Sequence, residues 1–331
     1  MSSLLPVEKV KREILNRIEN PSISPKFGAD PGARAIPALL DYGIVNLDKP
    51  EGPTSHQVSY YVQEALGISK SGHSGTLDPN VTGVLPVALG RATRVVQALL
   101  SEGKEYVGIM HLHKEVTREQ LETTIKSFVG KIKQLPPIRS NVKRQTRFRK
   151  IYYFDILEFN GQDVLFRTGT QAGTYIRKLC HDIGQKLGTG AHMSELRRTK
   201  VGHFNEGNIV TLQDLKDAYW FWKNEGNEKF IRKCILPMEQ ACLGLGKIYL
   251  LDSAVDTICH GANLAVPGIA RLETGIEKDS QVALMTLKGE LIALGKSLMS
   301  SKDIHSAGKG LAVKTDKVFM PAGTYPKMQK V

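Results

Sequence analysis

The sequence changes its pattern at Gly244, and that change constrains the fold more than any single motif. From Lys247 onward, short apolar runs are separated by glycines: Ile248–Leu251, Val282–Leu287, Leu291–Gly295, Leu311–Lys314 and Lys317–Met320. Lys288-Gly289 is a turn between two of them. Runs this short, broken by turn residues, predict a small β-barrel over 247–327, a unit separate from what precedes it. Between 41 and 246, segments with strand period and segments with helix period follow one another. Residues 1–40 read as an arm. Pro6, Pro21, Pro25, Pro31 and Pro37 punctuate it, with one helix expected over Val7–Ile18.

Composition narrows the function classes. Lys plus Arg is 45 and Asp plus Glu is 33, a net charge of +12. An excess of that size points to a polyanionic partner. With 41% hydrophobic and 24% charged residues, the chain is neither disordered nor collagenous. No apolar run approaches the ~18 residues of a membrane span. The first 30 residues carry charges every few positions and no signal-peptide core. Cysteines 180, 234, 242 and 259 form no C-x-x-C pair, which suggests reduced thiols in a cytoplasmic protein. Cys180 beside His181 offers too few ligands for a metal site and is expected to pack on a helix.

Within 41–246, Tyr42–Leu47 predicts a strand, closed by Asp48-Lys-Pro-Glu-Gly-Pro53. Thr54 or Ser55 caps a helix with Val58, Val62 and Ala65/Leu66 on one face. Arg91–Leu100 reads as a helix stopping near Gly103, and Glu105–His113 as a strand. Thr117 and Gln120 make a capping box before the stripe Leu121, Ile125 and Phe128, and Gly130 sits where a C-terminal cap belongs. Asn160-Gly161 marks a hairpin joining Ile151–Phe159 to Asp163–Arg167. Thr174–Leu187 and Thr211–Lys223 carry helical periodicity.

Four segments carry candidate chemistry. Ser71–Pro86 is a glycine-rich loop with one carboxylate, Asp78, fixed by Pro79 and open to close approach. Such an aspartate is either a nucleophile or the start of an Asp-Pro turn. No second carboxylate stands in the loop, so a paired-acid glycosidase is not suggested. No phosphate-cradling glycine motif is present. The stretch Lys131–Lys150 holds eight basic residues and no acid, Lys143, Arg144 and Arg147 among them. Its natural counter-surface is a phosphate backbone, which would make it a mobile RNA clamp. Ala172–Cys180 places Tyr175 and Arg177 in the first turn of a helix, where Arg177 can hold a carboxylate. Glu195–Lys200 reads as another basic turn.

These segments, in this order, resemble the dyskerin group of pseudouridine synthases, the catalytic subunits of box H/ACA guide-RNA particles. The bacterial enzyme that forms pseudouridine at tRNA position 55 is a relative of that group. The matching motifs are Gly43-Ile-Val-Asn-Leu-Asp-Lys-Pro50 with Pro53-Thr-Ser-His56, Gly72-His-Ser-Gly-Thr-Leu-Asp-Pro79 with Val81-Thr-Gly83, and Gly103-Lys-Glu-Tyr-Val-Gly108. Val142-Lys-Arg-Gln145, Gly173-Thr-Tyr-Ile-Arg177 and Glu195-Leu-Arg-Arg-Thr199 follow. The C-terminal unit, with Asp252-Ser-Ala-Val255, Gly261-Ala262 and Pro267-Gly268, looks like a PUA domain.

The resemblance implies a pseudouridine synthase fold, α+β with a mixed, largely antiparallel sheet, plus a PUA barrel on which the arm packs. It implies Asp78 as nucleophile, Tyr106 stacking on the flipped uracil, and Arg177 pairing with Asp78. His73 would hold the target nucleotide out of its stack, and Tyr175 and Leu196 would line the pocket. Lys49 and Pro50 would support the loop. Gly261, Ala262, Pro267 and Gly268 would meet a guide RNA. The implied reaction is uridine isomerisation without any cofactor, guided by H/ACA RNA in rRNA, with unguided action on tRNA also open. Implied partners are small H/ACA accessory proteins and a kink-turn-binding ribosomal-type protein, with no membrane. The PUA unit, the long arm and the missing Lys-rich tails match an archaeal, cytoplasmic member. A catalytically silent RNA-particle scaffold is the alternative. Another PUA-bearing modifier, such as a methyltransferase, would need a glycine-rich cofactor motif that is absent.

Overall fold

The computed structural model describes residues 3–135 and 145–327. The arm contributes helix α1 (Pro6–Lys9), strand β1 (Ile14–Asn16) and helix α2 (Ile36–Tyr42). Then come β2 (Gly43–Lys49), α3 (Ser55–Leu66), β3 (Ser71–His73), β4 (Thr82–Leu89), α4 (Val96–Ser101), β5 (Lys104–Leu112) and α5 (Arg118–Lys126). β6 (Gly130–Gln134), β7 (Arg147–Asn160), β8 (Asp163–Thr170), α6 (Ile176–Leu187), β9 (Ala191–Val201), β10 (Phe204–Asn205), α7 (Leu212–Glu225), α8 (Glu228–Cys234) and β11 (Ile235–Pro237) complete the first part. The second holds β12 (Gly246–Leu250), α9 (Asp252–Cys259), β13 (Leu264–Ala265), β14 (Ile269–Glu273), β15 (Gln281–Thr286), β16 (Leu291–Ser297), α10 (Ser301–Ser306) and β17 (Leu311–Val318).

The large sheet runs β11-β2-β4-β9-β5-β8-β7-β6, with β3 on β4 and β10 on β9. β4 and β9 are parallel, through Thr82↔Arg197 and Gly83↔Arg198, and the other neighbouring pairs on this path are antiparallel. This is the mixed, largely antiparallel sheet that the resemblance implies. The close approach needs Gly83: it sits at φ +103°, and a Cβ there would lie 2.2 Å from the Arg198 carbonyl oxygen. The Thr117 capping box forms, and Thr54 rather than Ser55 caps α3, with a box of its own. Thr54 Oγ1 accepts from the Gln57 amide at 3.2 Å, and Gln57 Oε1 from the Thr54 amide at 2.8 Å. Thr117 and Gln120 repeat the exchange at 3.3 and 3.0 Å.

The arm departs from expectation. Val7–Ile18 is not one helix: α1 has a single turn, and β1 joins the edge of β14 through Ile14↔Glu273 and Asn16↔Arg271. A free sheet edge outweighs the helical propensity of a short segment. Farther along, Lys288 Nζ donates to the Phe27 and Gly28 carbonyls at 2.5 and 3.1 Å, fixing the arm on the C-terminal barrel. Gly130 is not a helix cap; α5 closes at Ser127, and Gly130 opens β6 at φ +107°. Arg91–Leu100 begins as a 3-10 turn, and the two last apolar runs merge into β17.

The second sheet, ordered β1-β14-β12-β15-β16-β17-β13, curls around its own core. It is not packed separately, however. Ala283, Met285, Leu291, Leu294 and Phe319 share one buried cluster with Ile44, Val84, Ala88, Leu99 and Met238 of the first part.

Candidate active site and RNA-facing surfaces

Asp78 stands in the loop between β3 and β4, and its backbone is tied on every side. Leu77 and Val81 are buried on either side of it, at 4% and 3% exposure. Ser55 Oγ, at the start of α3, accepts the Leu77 amide at 2.8 Å. The Val81 amide returns to the Asp78 carbonyl at 3.0 Å. Lys49, at the end of β2, is fully buried. Its ammonium donates to the carbonyls of Pro50 (2.8 Å), Pro79 (2.9 Å) and Val81 (2.9 Å). Burial pushes its pKa down; Glu51 opposes that shift and Arg198 adds to it. The loop is thus rigid while the Asp78 carboxylate itself stays half exposed.

Arg177, in the first turn of α6, donates to Asp78 Oδ2. Tyr175 is the residue that caps this helix. Both of its backbone groups are taken by one side chain, Gln134, which accepts the Tyr175 amide at 3.1 Å and donates to its carbonyl at 3.2 Å. Sequence reading missed Gln134, because nothing local marks a buried glutamine at the end of β6. Tyr106 lies mid-way along β5, across from Arg198 and Thr168. Tyr106, Leu196, Ile176, Leu77 and Val81 belong to one apolar cluster, so the flanks of Asp78 continue into the wall that holds Tyr106.

Glu195–Lys200 is not a turn but part of β9, and Arg198 is almost completely buried. Its Nε donates to the Val84 carbonyl at 2.8 Å and its Nη2 to that of Gly75 at 3.3 Å. Burial lowers its pKa, opposed by the neighbouring Tyr106 hydroxyl. Arg197, beside it, grips both Asp48 oxygens at 3.0 Å.

His73 opens the Asp78 loop, its ring edge-on to His56 at 4.9 Å. Burial first, then the charges of His56 and Arg198, lower its pKa to about 4. It is therefore neutral at neutral pH, suited to lie against a base. Between about pH 6.5, where an unfolded histidine titrates, and about 4, the unfolded chain binds a proton that the folded one refuses. This group's contribution therefore makes stability fall as pH drops through that window. His73→Gln is expected to blunt the loss of melting temperature between pH 7 and 4.5. Parallel losses in both proteins would show that His73 does not carry it.

Comparison with known proteins fits this geometry. A probable tRNA pseudouridine synthase B of Pyrococcus abyssi is 55% identical over 326 residues, covering 98% of this chain and 97% of that protein. One from Nanoarchaeum equitans is 56% identical over 324 residues, covering 98% and 92%. The chain belongs to the TruB family of pseudouridine synthases. Family profiles cover it in order: a DKCLD (NUC011) domain over residues 5–59, the TruB family pseudouridylate synthase N-terminal domain over 63–176, the tRNA pseudouridylate synthase B C-terminal domain over 177–242, and a PUA domain over 246–319. A solved H/ACA RNP bound to a substrate RNA containing 2'-deoxyuridine matches at 52% identity and TM-score 0.92, covering 98% of this chain and 100% of that one. A Cbf5-Nop10-Gar1 complex matches at 54% and 0.94, covering 98% and 99%.

This TruB-family synthase is an isomerase acting on RNA. The N1–C1′ bond of a uridine breaks and a C5–C1′ bond forms. Substrate and product have the same atoms, so the overall conversion consumes no electron donor or phosphoryl group. Its basic stretch is partly described. Lys131↔Lys150 and Gln134↔Arg147 pair as the arms of a β6–β7 hairpin, while Lys143 and Arg144 lie outside the described residues. A cavity of about 450 Å³ beside it is lined by Lys131, Lys133, Lys178 and Lys186, with Asp182 and Ser127. In the PUA barrel, Gly261 follows α9 at φ +87° with open space where a Cβ would stand, and Pro267 is exposed. Ala262 and Gly268 are half-buried: the Ala262 carbonyl accepts from Thr315 Oγ1 at 2.7 Å, and a Cβ on Gly268 would meet Ala254 at 2.9 Å. Cys180 is wholly buried in the cluster of α6.

Proposed function

We propose that this synthase is the catalytic subunit of an archaeal box H/ACA guide-RNA particle, cytoplasmic, with Asp78 as its nucleophile. The observation that carries the assignment of Asp78 is its setting: a half-exposed carboxylate, paired with Arg177, on a rigid loop whose buried flanks merge with the wall holding Tyr106. The adjacent guanidinium favours the charged carboxylate that attack requires. Tyr106 would stack on the extruded uracil, Leu196 and Tyr175 would close the pocket, and neutral His73 would occupy the gap the base leaves. Extrusion costs a few kcal/mol, which stacking contacts return. Support for the particle comes from the similarity to the chain in the H/ACA RNP and Nop10–Gar1 complexes. The accessory proteins would be of that kind, together with a kink-turn-binding protein. Gly261 and Pro267, exposed on the PUA barrel, would meet the guide RNA, together with the half-buried Ala262 and Gly268 next to them in sequence. Tritium release from C5-labelled uridine RNA, with and without guide RNA, tests the reading. Release only with guide supports it, release without guide adds stand-alone tRNA action, and none in either condition leaves a silent scaffold.

The basic hairpin would clamp RNA phosphates. Replacing Lys143, Arg144 and Arg147 with Gln is expected to weaken RNA binding and flatten its salt dependence. Each lost contact should remove roughly 0.7 from the log–log slope for single-stranded RNA, about 2 in all. An unchanged slope would assign the stretch to a solvated face.

A further inference from the structure

β5 alternates regularly, so Glu105 and Tyr106 leave it on opposite faces. The same rule would put Arg198 and Lys200 of β9 on one face. They are not on one face. Tyr106 lies opposite Arg198 and Glu105 opposite Lys200, so Thr199 is an extra residue, a bulge in β9. Arg198 turns toward Tyr106 and the carbonyls of Val84 and Gly75. Lys200 turns the other way, 2.8 Å from Glu8 of the arm and 3.7 Å from Glu105.

The bulge is locked from that other face. Thr199 Oγ1 donates to Glu105 Oε1 at 2.8 Å, and the Tyr153 hydroxyl donates to Glu105 Oε2 at 2.5 Å. Glu105 and Tyr153 are buried, at 4% and 8% exposure. Burial and the neighbouring Glu105 raise the Tyr153 pKa, so its hydroxyl remains a donor. Leu5 and Val7 of the arm pack on the Tyr153 ring, next to Glu8. A carboxylate with both oxygens engaged in a buried site has one arrangement, and it fixes which residue of β9 is the extra one.

We propose that Thr199 is a positioning residue for the isomerisation. Its bulge, held by Glu105 from the face opposite Tyr106, sets where Tyr106 and Arg198 stand beneath the Asp78 loop. The inference rests on the reading of Tyr106 as the base-facing ring.

The test compares full-length wild type, Thr199→Val, Thr199→Ser, Tyr153→Phe and Tyr106→Leu. Single-turnover tritium release, RNA affinity and melting temperature are measured under whichever condition, guided or unguided, wild type turns over. Thr199→Val keeps the shape and loses the donor. It is expected to slow release about tenfold, as a small misplacement does, with RNA affinity within about twofold. Thr199→Ser restores the donor and most of the rate. Should Thr199→Val not fold, Tyr153→Phe removes one bond to Glu105 while keeping the packed ring, and is expected to slow release about threefold. A folded Thr199→Val at the wild-type rate, beside a slow Tyr106→Leu, overturns the inference alone. A Tyr106→Leu enzyme at the wild-type rate removes the reading of Tyr106 and this inference with it.

Discussion

Asp78→Asn is expected to abolish isomerisation while leaving the protein folded and its RNA affinity nearly unchanged. The amide fills the same space between Leu77 and Val81, and the loop is held by Lys49 and Ser55 through backbone groups that the substitution does not touch. What is lost is the negative charge and the nucleophilic oxygen. Magnitudes separate the two roles this aspartate can have. The Asp78–Arg177 pair is half exposed on both sides, and such pairs contribute only about 0.2–1 kcal/mol to stability. A nucleophile is part of an acceleration of at least about 8 kcal/mol. Turnover of Asp78→Asn should therefore fall by orders of magnitude, with the melting temperature displaced by no more than a few degrees. Tritium release, filter binding of RNA and thermal melting, measured on one preparation, check all three. Residual turnover within about tenfold of wild type, a mere ~1.4 kcal/mol of barrier, would remove Asp78 from the nucleophile's role.

Local signals read from the sequence carry over where a few adjacent residues decide the structure. Thr54–Gln57 and Thr117–Gln120 are closed within one helical turn, so their residue types suffice. Asn160-Gly161 turns β7 into β8 for the same reason. The motif around Asp78 was legible through its likeness to a family; spacing alone could not distinguish it from an Asp-Pro turn. The rest depends on pairings between distant segments. Gln134 meets Tyr175 across 41 residues, and Thr199 meets Glu105 across 94. Arg198 looks like a surface charge in Glu195–Lys200, yet parallel pairing of β9 with β4 buries it against the Gly75 carbonyl of the Asp78 loop and the Val84 carbonyl of β4. The strand in the arm exists only because β14 offers an edge. The C-terminal barrel reads as separate because its strand pattern is self-sufficient, but while Val282, Leu284 and Ile292 fill its own core, Ala283, Met285 and Leu294 face the catalytic part. Alternation shows that a residue is buried and does not show against what.

Lys49→Met is expected to cost both stability and turnover, turnover more. The charge of Lys49 is buried, and its three hydrogen bonds all go to carbonyls. A buried ammonium is expensive unless its donors are all used, and these three use them. Methionine has nearly the same length and no donor. The Pro79 carbonyl would still accept the Gly52 amide at 3.0 Å, and at exposed Pro50 water can replace the ammonium, so the buried carbonyl left without a donor is that of Val81. An unsatisfied buried acceptor costs about 1–3 kcal/mol, partly offset because no ammonium need be desolvated. A net loss of about 1–2 kcal/mol follows, roughly 2–8 °C in melting temperature. Turnover suffers further, because Pro79 and Val81 bracket Asp78 and their carbonyls are what hold its loop down. A displacement of about 1 Å at a reacting group costs on the order of a hundredfold. Folded Lys49→Met, assayed well below its melting temperature, should therefore be slower by about that factor while binding RNA normally. Lys49→Arg is no rescue: a fully buried site has no room for the larger guanidinium, so it too should lose turnover. Wild-type turnover in folded Lys49→Met would show that the Asp78 loop holds its position without the ammonium.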